Sequence, residues 1–440
     1  MNIYERYKDS GIPWLGEIPE HWNICRLKDE VTFNDEVLGD KTDADYEILY
    51  VDISSVSLIE GIVQKEPMSF EDSPSRARRI VKNGDVIVST VRTYLKAITQ
   101  IQDAEDNLIV STGFAVLRPR ENLFPRFLGY WVQSENMIGA IVSNSVGVSY
   151  PAINATDLVR LPIVKLPLKE QTAIAHYLDT KLGEIDALIE KQQTLLEKLA
   201  EQRTAVITHA VTKGLNPAAP MKMSGVEWLG DVPAHWEVKR LKFLITELRV
   251  GPFGSAIKIS DYVQDGKPLY NQRTVLDNSF ANNSIFLTDE KYKELNSFQT
   301  KSGDFLLTTR GTIGKVAIVP QNAEPGIIHP CLIRFKIDEN LFQPKLLKSI
   351  FNETDFFKKQ LDLQSNATTI DVIYSNSLKE LFLTLPPRDE QAVIADYLDQ
   401  ETTKIDRLCD TVNQTIGRLK EYRTALITQA VTGKIKVTDE

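Results

Sequence analysis

The chain has 440 residues, more than one hydrophobic core normally supports, so two or more folded domains are expected. Hydrophobic residues at 42% and charged residues at 25% are typical of a globular protein and exclude a disordered, collagen-like or disulfide-rich chain. The net charge of −9, from 51 basic and 60 acidic residues, argues against a protein that attracts nucleic acid through a uniformly basic surface.

Membrane and metal sites are also disfavoured. No apolar segment approaches the roughly 20 residues of a membrane helix, and the first residues, MNIYERYKDSG, lack the apolar core of a signal peptide, so we expect a cytoplasmic protein. Cys25, Cys331 and Cys409 are far apart and form no CxxC pair. Neither a disulfide framework nor a cysteine-rich zinc site is therefore predicted.

The first predicted domain covers residues 1–168 and contains the box SGIPWLGEIPEHWNICRLK at residues 10–28. This box returns as SGVEWLGDVPAHWEVKRLK at residues 224–242, with 11 of 19 positions identical. His21 and His235 occupy the same place in the sequence PxHW, which favours a structural role in packing or turn formation. Short β-rich segments such as VIVST, separated by Gly, Asp and Asn turns, follow each box and mix with helical stretches. They predict compact domains of mixed α/β structure.

A long helix is predicted at residues 169–213, because the 43 residues from Glu170 to Thr212 contain no proline and one glycine. At about 1.5 Å per residue this segment would be roughly 65 Å long. The segment 214–223, with Gly214, Pro217 and Pro220, is predicted to end the helix and to link it to a second domain at residues 224–388.

A second long helix is predicted at residues 389–433, followed by a tail at 434–440. Both helices begin with EQ and end in RTAVITHAVT or RTALITQAVT, and both carry apolar residues at heptad spacing. The pattern favours a paired coiled coil over two unrelated helices that each pack on their own domain. The predicted fold is α+β, with two pseudo-repeated recognition domains joined by two long antiparallel helices.

A search for catalytic motifs finds none. The segment GTIGK at residues 311–315 superficially resembles a phosphate-binding loop, but a Walker A motif needs four residues between its glycines and a Ser or Thr after the lysine. The sequence contains no GxGxxG after a strand and no HExxH pair. We therefore predict no catalytic residues and no metal ligands in this chain, and we interpret it as a binding protein.

Both variable regions contain basic, hydroxyl and amide side chains in turn-rich segments, the residue types that contact phosphates and base edges. Each alone is equally consistent with a solvated surface residue. The predicted DNA-binding residues are Arg76, Arg78, Arg79, Arg92, Tyr94, Lys96, Ser145 and Tyr150 in the first region, and Phe253, Ser255, Lys258, Arg273, Arg310, Thr312, Lys315 and Asn366 in the second.

With its GxxWLGxxPxHW boxes and EQxxIAxYLD helices, the whole chain resembles the DNA-specificity subunit of type I restriction–modification systems. The pattern GD-hydrophobic-RGTxGK that begins at Gly303 also resembles that family's recognition domains. The first region keeps Gly84-Asp85 but has Val91-Arg92-Thr93 where the second has Arg310-Gly311-Thr312, so contacts cannot be transferred between the two regions residue by residue.

The resemblance implies a non-catalytic, prokaryotic subunit whose two recognition domains each read one half of a split DNA target. It also implies helices that set the spacer and bind two modification subunits, which carry S-adenosylmethionine, with motor-nuclease restriction subunits that use ATP and Mg. The residues predicted at the subunit interface are Leu178, Ile185, Ile189, Leu196, Leu199, Leu398, Ile405, Val412, Ile416 and Leu419. A coiled-coil scaffold with two protein- or glycan-binding heads is the leading alternative, and a catalytic variable domain is a third.

The charge is unevenly distributed, with 17 basic and 24 acidic residues at 1–168 but 21 and 19 at 216–388. Because DNA affinity depends on neutralising phosphates, we predict that the isolated chain binds weakly and relies on partner subunits for much of the phosphate contact.

Overall fold

The computed structural model describes residues 3–281, 283–364 and 372–437. Within these ranges no helix is long and apolar enough to cross a membrane. The chain divides into two compact units, one of Met1–Gln193 with Asn413–Glu440 and the other of Thr194–Val412. Each unit combines one predicted recognition domain with parts of both long helices. We call residues 3–167 the first head and residues 214–387 the second head.

Short strands dominate both heads, as the β-rich segments predicted. The strands of the first head are β1 (Tyr7–Asp9), β2 (Glu17–Pro19), β3 (Asn23–Arg26), β4 (Val31–Phe33), β5 (Glu47–Val51), β6 (Val56–Ser57), β7 (Gly61–Ile62), β8 (Glu66–Ser69), β9 (Ala77–Ile80), β10 (Val86–Ser89), β11 (Ile98–Gln100), β12 (Leu108–Ser111), β13 (Phe114–Pro119) and β14 (Pro162–Lys165). Those of the second head are β15 (Met221–Met223), β16 (Asp231–Pro233), β17 (Glu237–Arg240), β18 (Ile245–Val250), β19 (Tyr262–Val263), β20 (Lys267–Tyr270), β21 (Phe286–Leu287), β22 (Phe305–Thr308), β23 (Val316–Ile318), β24 (Ile327–Ile328), β25 (Leu332–Ile337) and β26 (Phe382–Leu385).

Two helices are far longer than the rest. The helices are α1 (Leu27–Glu30), α2 (Pro125–Gln133), α3 (Glu135–Ser143), α4 (Ala155–Leu158), α5 (Leu168–Lys213), α6 (Gln272–Leu276), α7 (Asp289–Glu294), α8 (Pro344–Glu353), α9 (Phe356–Gln364), α10 (Ser375–Lys379) and α11 (Arg388–Val431). The long helices, α5 with 46 residues and α11 with 44, lie within two residues of the boundaries expected from the sequence. Gly214 and Gly433, with φ of +76° and +71°, follow their ends, as is common at helix C-termini.

The two heads share one sheet plan although their variable sequences differ. The order β11-β10-β13-β4 in the first head corresponds to β23-β22-β25-β18 in the second, and both sheets are antiparallel. A second sheet, β8-β5-β12-β9, has β12 parallel to β5, and the second head repeats this feature with β20 parallel to β24. The predicted structural repeat therefore extends through the variable regions.

The Gly-Asp pair in each variable region forms a buried structural turn. Gly84 and Gly303 have φ of +92° and +82°, where a side chain would be strained. Asp85 accepts the Lys82 N–H at 2.8 Å and binds both Nε and Nη2 of Arg118, at 2.9 and 2.8 Å. This pair therefore fixes the start of β10 against β13.

The second head repeats the arrangement. Asp304 accepts the Lys301 N–H at 2.7 Å and Nη1 of Arg334 at 2.9 Å. Both side chains of this ion pair are almost completely buried, and Arg334 also binds Glu247. The Gly-Asp part of the family-like pattern thus has a structural role in both heads.

The PxHW boxes hold the first turn of each long helix. In the first unit the Glu170 carboxylate accepts hydrogen bonds from Trp22 Nε1 at 3.2 Å and Tyr4 Oη at 2.7 Å, and it lies 3.0 Å from His21 Nε2. In the second unit Glu390 is likewise 2.9 Å from Trp236 Nε1 and 2.7 Å from the His235 ring. The contacts agree with the predicted structural role of the two histidines.

The glutamine of each EQ pair fastens the same helix turn to its head. Gln171 accepts the Phe124 N–H at 2.8 Å and donates to the carbonyls of Asn122 and Leu166 at 3.0 and 2.9 Å. Gln391 makes the equivalent set of three bonds in the second unit and is fully buried. Because buried amides need all their partners, these glutamines fix where the head ends and the helix begins.

Inside each unit the start of one long helix lies beside the end of the other. A Cβ placed on Gly433 would be 3.1 Å from Trp22 Cη2, and one on Gly214 would be 3.2 Å from Glu390 Oε1. The helix segments of each unit are therefore antiparallel. The Arg423–Asp186 ion pair in the first unit, with Nε–Oδ1 at 3.1 Å, has a repeat counterpart in the second, where Arg203 binds Asp406.

The predicted interface residues are mostly buried within this chain. Leu196 and Leu419 are partly exposed. The other eight have at most 9% of their surface exposed, namely Leu178, Ile185, Ile189, Leu199, Leu398, Ile405, Val412 and Ile416. Ile416, which was predicted at the subunit interface, is thus buried within this chain, and a polar residue there would disturb the fold. The heptad pattern therefore identified side chains that are buried within this chain, which contains both long helices.

Candidate nucleic-acid interface

In the first head, two loops that are distant in sequence form one edge. The loop at residues 90–97 joins β10 to β11, and the loop at residues 144–153 follows α3. The Ile153 N–H donates to the Thr90 carbonyl at 2.9 Å, and the hydroxyl oxygens of Thr93 and Ser145 are 2.9 Å apart. The predicted residues Arg92, Tyr94, Lys96, Ser145 and Tyr150 all lie on these two loops.

The backbone of the first loop is strained at basic residues. Arg92 and Lys96 have φ of +51° and +53°, a left-handed conformation that costs energy for residues with a side chain. They flank a 3₁₀ turn at Thr93–Leu95. Cζ of Arg92 lies 4.9 Å from the ring centre of Tyr150, whose surface is 65% exposed. The strain is consistent with a functional edge that presents a cation on an aromatic ring.

Beside this edge is a cleft of about 540 Å³. Arg76 lies in it, although the sequence separates this residue from both loops. The cleft residues are Asp52, Ile53, Ser54, Arg76, Val91, Arg92, Leu95, Ser111, Thr112, Gly113 and Tyr150. Asp52 is a site residue that the sequence did not reveal. It lies 24 residues before Arg76, and only the pairing of β5, β12 and β9 brings the two segments together.

Arg78 and Arg79 do not line this cleft. Cζ of Arg78 lies 4.5 Å from the ring centre of Phe70, and its Nη1 donates to the Ala77 carbonyl at 2.9 Å. Burial lowers the pKa of the Arg79 guanidinium, whose Nε is buried without a hydrogen-bond partner. The RARR segment therefore places one of its arginines in the cleft and two elsewhere.

In the second head the corresponding edge is built around Arg310. The backbone of Arg310 forms an antiparallel β-bridge with that of Val372. The Ile373 N–H donates to the Thr309 carbonyl at 3.0 Å, as the Ile153 N–H does to the Thr90 carbonyl. Gly311 has φ of +65° and lies beside the amide of Gln272, which was not among the predicted residues. Asn366 lies outside the described residues.

The remaining predicted residues of the second head differ in exposure. Phe253 is 88% exposed on the loop after β18, with Ser255 and Lys258 exposed nearby. Arg273 is exposed and pairs with Asp277 at 3.2 Å, while Thr312 is exposed on the loop beside Arg310. Nζ of Lys315 donates to the Asn352 carbonyl at 2.6 Å, which directs it toward the end of α8.

The first loop edge thus combines Arg, Tyr, Ser and Thr, and the second combines Arg, Gln and Thr. These side chains can donate to phosphates and base edges, and aromatic rings can contact apolar base faces. No group of three or more His, Cys, Asp or Glu side chains in the described ranges is arranged to hold a metal.

Comparisons with known proteins find relatives along most of the chain. The model of the type I restriction modification DNA specificity domain matches residues 20–198 and 234–417. The chain is 24% identical to the putative type I restriction enzyme MjaX specificity subunit of Methanocaldococcus jannaschii over 96% of each chain. It is also 24% identical to the type I restriction enzyme EcoKI specificity subunit of Escherichia coli K12, over 96% of this chain and 90% of that one.

One solved structure supports the fold. It comes from work described as the structural basis underlying complex assembly and conformational transition of the type I R-M system. The likeness has a TM-score of 0.69 at 22% identity and covers 94% of this chain and 98% of that one.

Proposed function

Because this chain belongs to the type I restriction modification DNA specificity family, we propose that it is the DNA-specificity subunit of a type I restriction–modification complex. Each head reads one half of a bipartite target. The chain itself is non-catalytic. The observation that carries this proposal is the pair of loop edges at matching places on the two heads, each anchored by the same backbone bond, from Ile153 to Thr90 and from Ile373 to Thr309.

The target is asymmetric because the two edges present different side chains on one scaffold. Arg76, Arg92 and Tyr150 line the cleft of the first head, whereas in the second head the amide of Gln272 lies beside Gly311, the residue after Arg310. Two identical readers would select a palindrome, since half-sites follow the symmetry of the protein. Different readers select two different half-sites.

Partner subunits supply the chemistry and part of the DNA affinity. Two modification subunits carry S-adenosylmethionine and methylate adenine, and restriction subunits use ATP and Mg. The net charge of −9 makes the lone chain a weak DNA binder that depends on these partners for phosphate contacts.

The modification subunits bind along the long helices at apolar side chains that this chain leaves uncovered. Leu188 of α5 and Leu408 of α11 occupy the same repeat position and are 46% and 53% exposed. Leu195 is 43% exposed two turns beyond Leu188. Exposed leucines on a helix favour contact with a further helix, which would complete a bundle.

Sequencing the methylated positions in DNA exposed to the assembled methyltransferase tests the proposal. We expect a bipartite motif with unequal halves, and replacement of the second head by that of a relative should change only one half. A palindromic or continuous motif would contradict two independent readers. If a gel-shift assay of the assembled complex showed no salt-sensitive DNA binding, the coiled-coil scaffold alternative would be favoured.

A further inference from the structure

Arg76 is exposed at its tip but fixed along one edge. Its side chain is 55% exposed, yet Nε donates to the Tyr50 hydroxyl at 3.1 Å and Nη2 donates to the Asp52 carboxylate at 2.8 Å. Tyr50 is only 4% exposed, in the core beside β9 and β12. Asp52 is itself held, because its Oδ1 accepts the Ile53 N–H at 2.8 Å. The guanidinium orientation is therefore set before any ligand arrives.

These bonds use one edge of the guanidinium and leave another free. The group carries five N–H donors in one plane, and Nε with the adjacent hydrogen of Nη2 forms its side edge. Tyr50 and Asp52 occupy that edge. The end edge, with one hydrogen each from Nη1 and Nη2, remains as a pair of parallel donors. Such a pair matches O6 and N7 of guanine in the major groove.

A base is a better partner here than a phosphate. The Asp52 carboxylate neutralises much of the charge of Arg76, which weakens attraction to a phosphate but leaves the direction of the two donors unchanged. Because Tyr50 and Asp52 already hold the Arg76 side chain through hydrogen bonds, it loses little conformational freedom when it binds a base. A phosphate contact would need charge more than orientation.

We propose that Arg76 reads a guanine in the half-site of the first head, oriented by Tyr50 and Asp52. The assignment rests on the proposed function, since it requires that this head faces DNA. Arg76 lies in the same cleft as Arg92 and Tyr150, two other residues predicted to contact DNA. This assignment concerns one half of the target.

The second head is built differently at the equivalent strand. Tyr270 of β20 directs its hydroxyl to the Glu324 carbonyl at 2.5 Å instead of to an arginine. Tyr270 is followed by Asn271 and Gln272, whereas Tyr50 is followed by Val51 and Asp52. The second head therefore has an amide at the position where the first head has the Asp52 carboxylate. The guanine reader therefore belongs to one head, and its loss should affect one half of the motif.

The test uses the chain purified with its modification subunits and a library of methylation substrates. Arg76→Lys keeps the charge but removes the parallel donors. Lysine can still donate to guanine, but from a flexible stem and without the planar pair of N–H groups. We therefore expect the variant to lower discrimination at a single G·C pair, where a good bidentate contact supplies roughly 5- to 150-fold, and to leave the other positions unchanged. Replacing that guanine by 7-deazaguanine should weaken binding of the native complex more than binding of the variant. Asp52→Asn should reduce discrimination at the same position.

Arg160→Lys is the matched control, because Arg160 also pairs with an aspartate of the first head, Asp157, at 3.1 Å but lies outside the cleft. It should leave the motif unchanged. An unchanged motif in Arg76→Lys, or equal weakening at every position, would overturn the guanine assignment. A native complex that methylates no specific motif would instead overturn the proposed function.

Discussion

The buried ion pair between Asp304 and Arg334 offers a quantitative test of what holds the second head together. Asp304 is fully buried and Arg334 is 4% exposed, and the two are joined at 2.9 Å. Arg334→Met would leave a buried carboxylate without its cation. Removing one partner of a buried pair costs about 3–5 kcal/mol, because the remaining charge is uncompensated. The free energy of unfolding of the second unit should fall by that amount.

The double variant Asp304→Asn with Arg334→Met separates the ion pair from simple loss of packing. The asparagine oxygen can still accept the Lys301 N–H, now bonded at 2.7 Å, and no buried charge remains. Glu247, which is 44% exposed, is left to water. We therefore expect the double variant to recover at least half of the loss, since replacing both charges of a buried pair is often close to neutral.

Hydrogen exchange at increasing urea concentration, followed on peptides from β22 and β25, measures the local free energy of opening in the full chain. Arg118→Met, which removes the counterpart of Arg334 in the first head, should destabilise peptides of β10 and β13 and leave β22 unchanged. The reasoning is refuted if Arg334→Met costs less than about 1 kcal/mol, or if the double variant is no more stable than the single one.

Two further predictions concern the long helices and a thiol. Glutamate at both Leu188 and Leu408 should abolish co-purification with the modification subunits while the thermal unfolding of the chain stays within about 2 °C of the native value, since both side chains are exposed; Leu178→Glu, at a fully buried position, should instead unfold the first unit. Retained assembly in the double glutamate variant would exclude this docking surface. Burial, reinforced by the neighbouring Glu30 carboxylate, raises the pKa of the Cys25 thiol to about 11. Its alkylation by iodoacetamide, measured by mass spectrometry, should therefore rise about tenfold per pH unit between pH 8 and 10, and a plateau by pH 9 would contradict this.

The sequence predicted the long helices well because their signals are local and repeated. Absence of proline, an acidic first turn and a glycine after the last turn each act within a few residues. The heptad pattern also found most of the buried positions of the long helices. Ile416 was predicted at the subunit interface, and the structure buries its side chain within this chain.

The sequence predicted the mixed α/β class of the two heads but only part of their candidate DNA-binding sites. The loop residues Arg92 and Tyr150 were recognised by type, and the structure brings them together at 4.9 Å. Asp52 could not be found, because its link to Arg76 depends on the pairing of strands that no local pattern specifies. Lys315 was predicted to contact DNA, and in the structure its ammonium group donates to the Asn352 carbonyl.

The separation between the Gly-Asp–Arg framework and the loop edges bears on how new specificities can evolve. Asp85 with Arg118, and Asp304 with Arg334, stabilise each head from inside. On the loops at 90–97 and 144–153, exposed side chains such as Tyr94 and Tyr150 can change with little loss of stability. If these loops read DNA, as we propose, mutation or recombination within them would generate a different recognition sequence while the inherited scaffold still folds. In a population exposed to changing foreign DNA, such an evolvable surface would be an advantage.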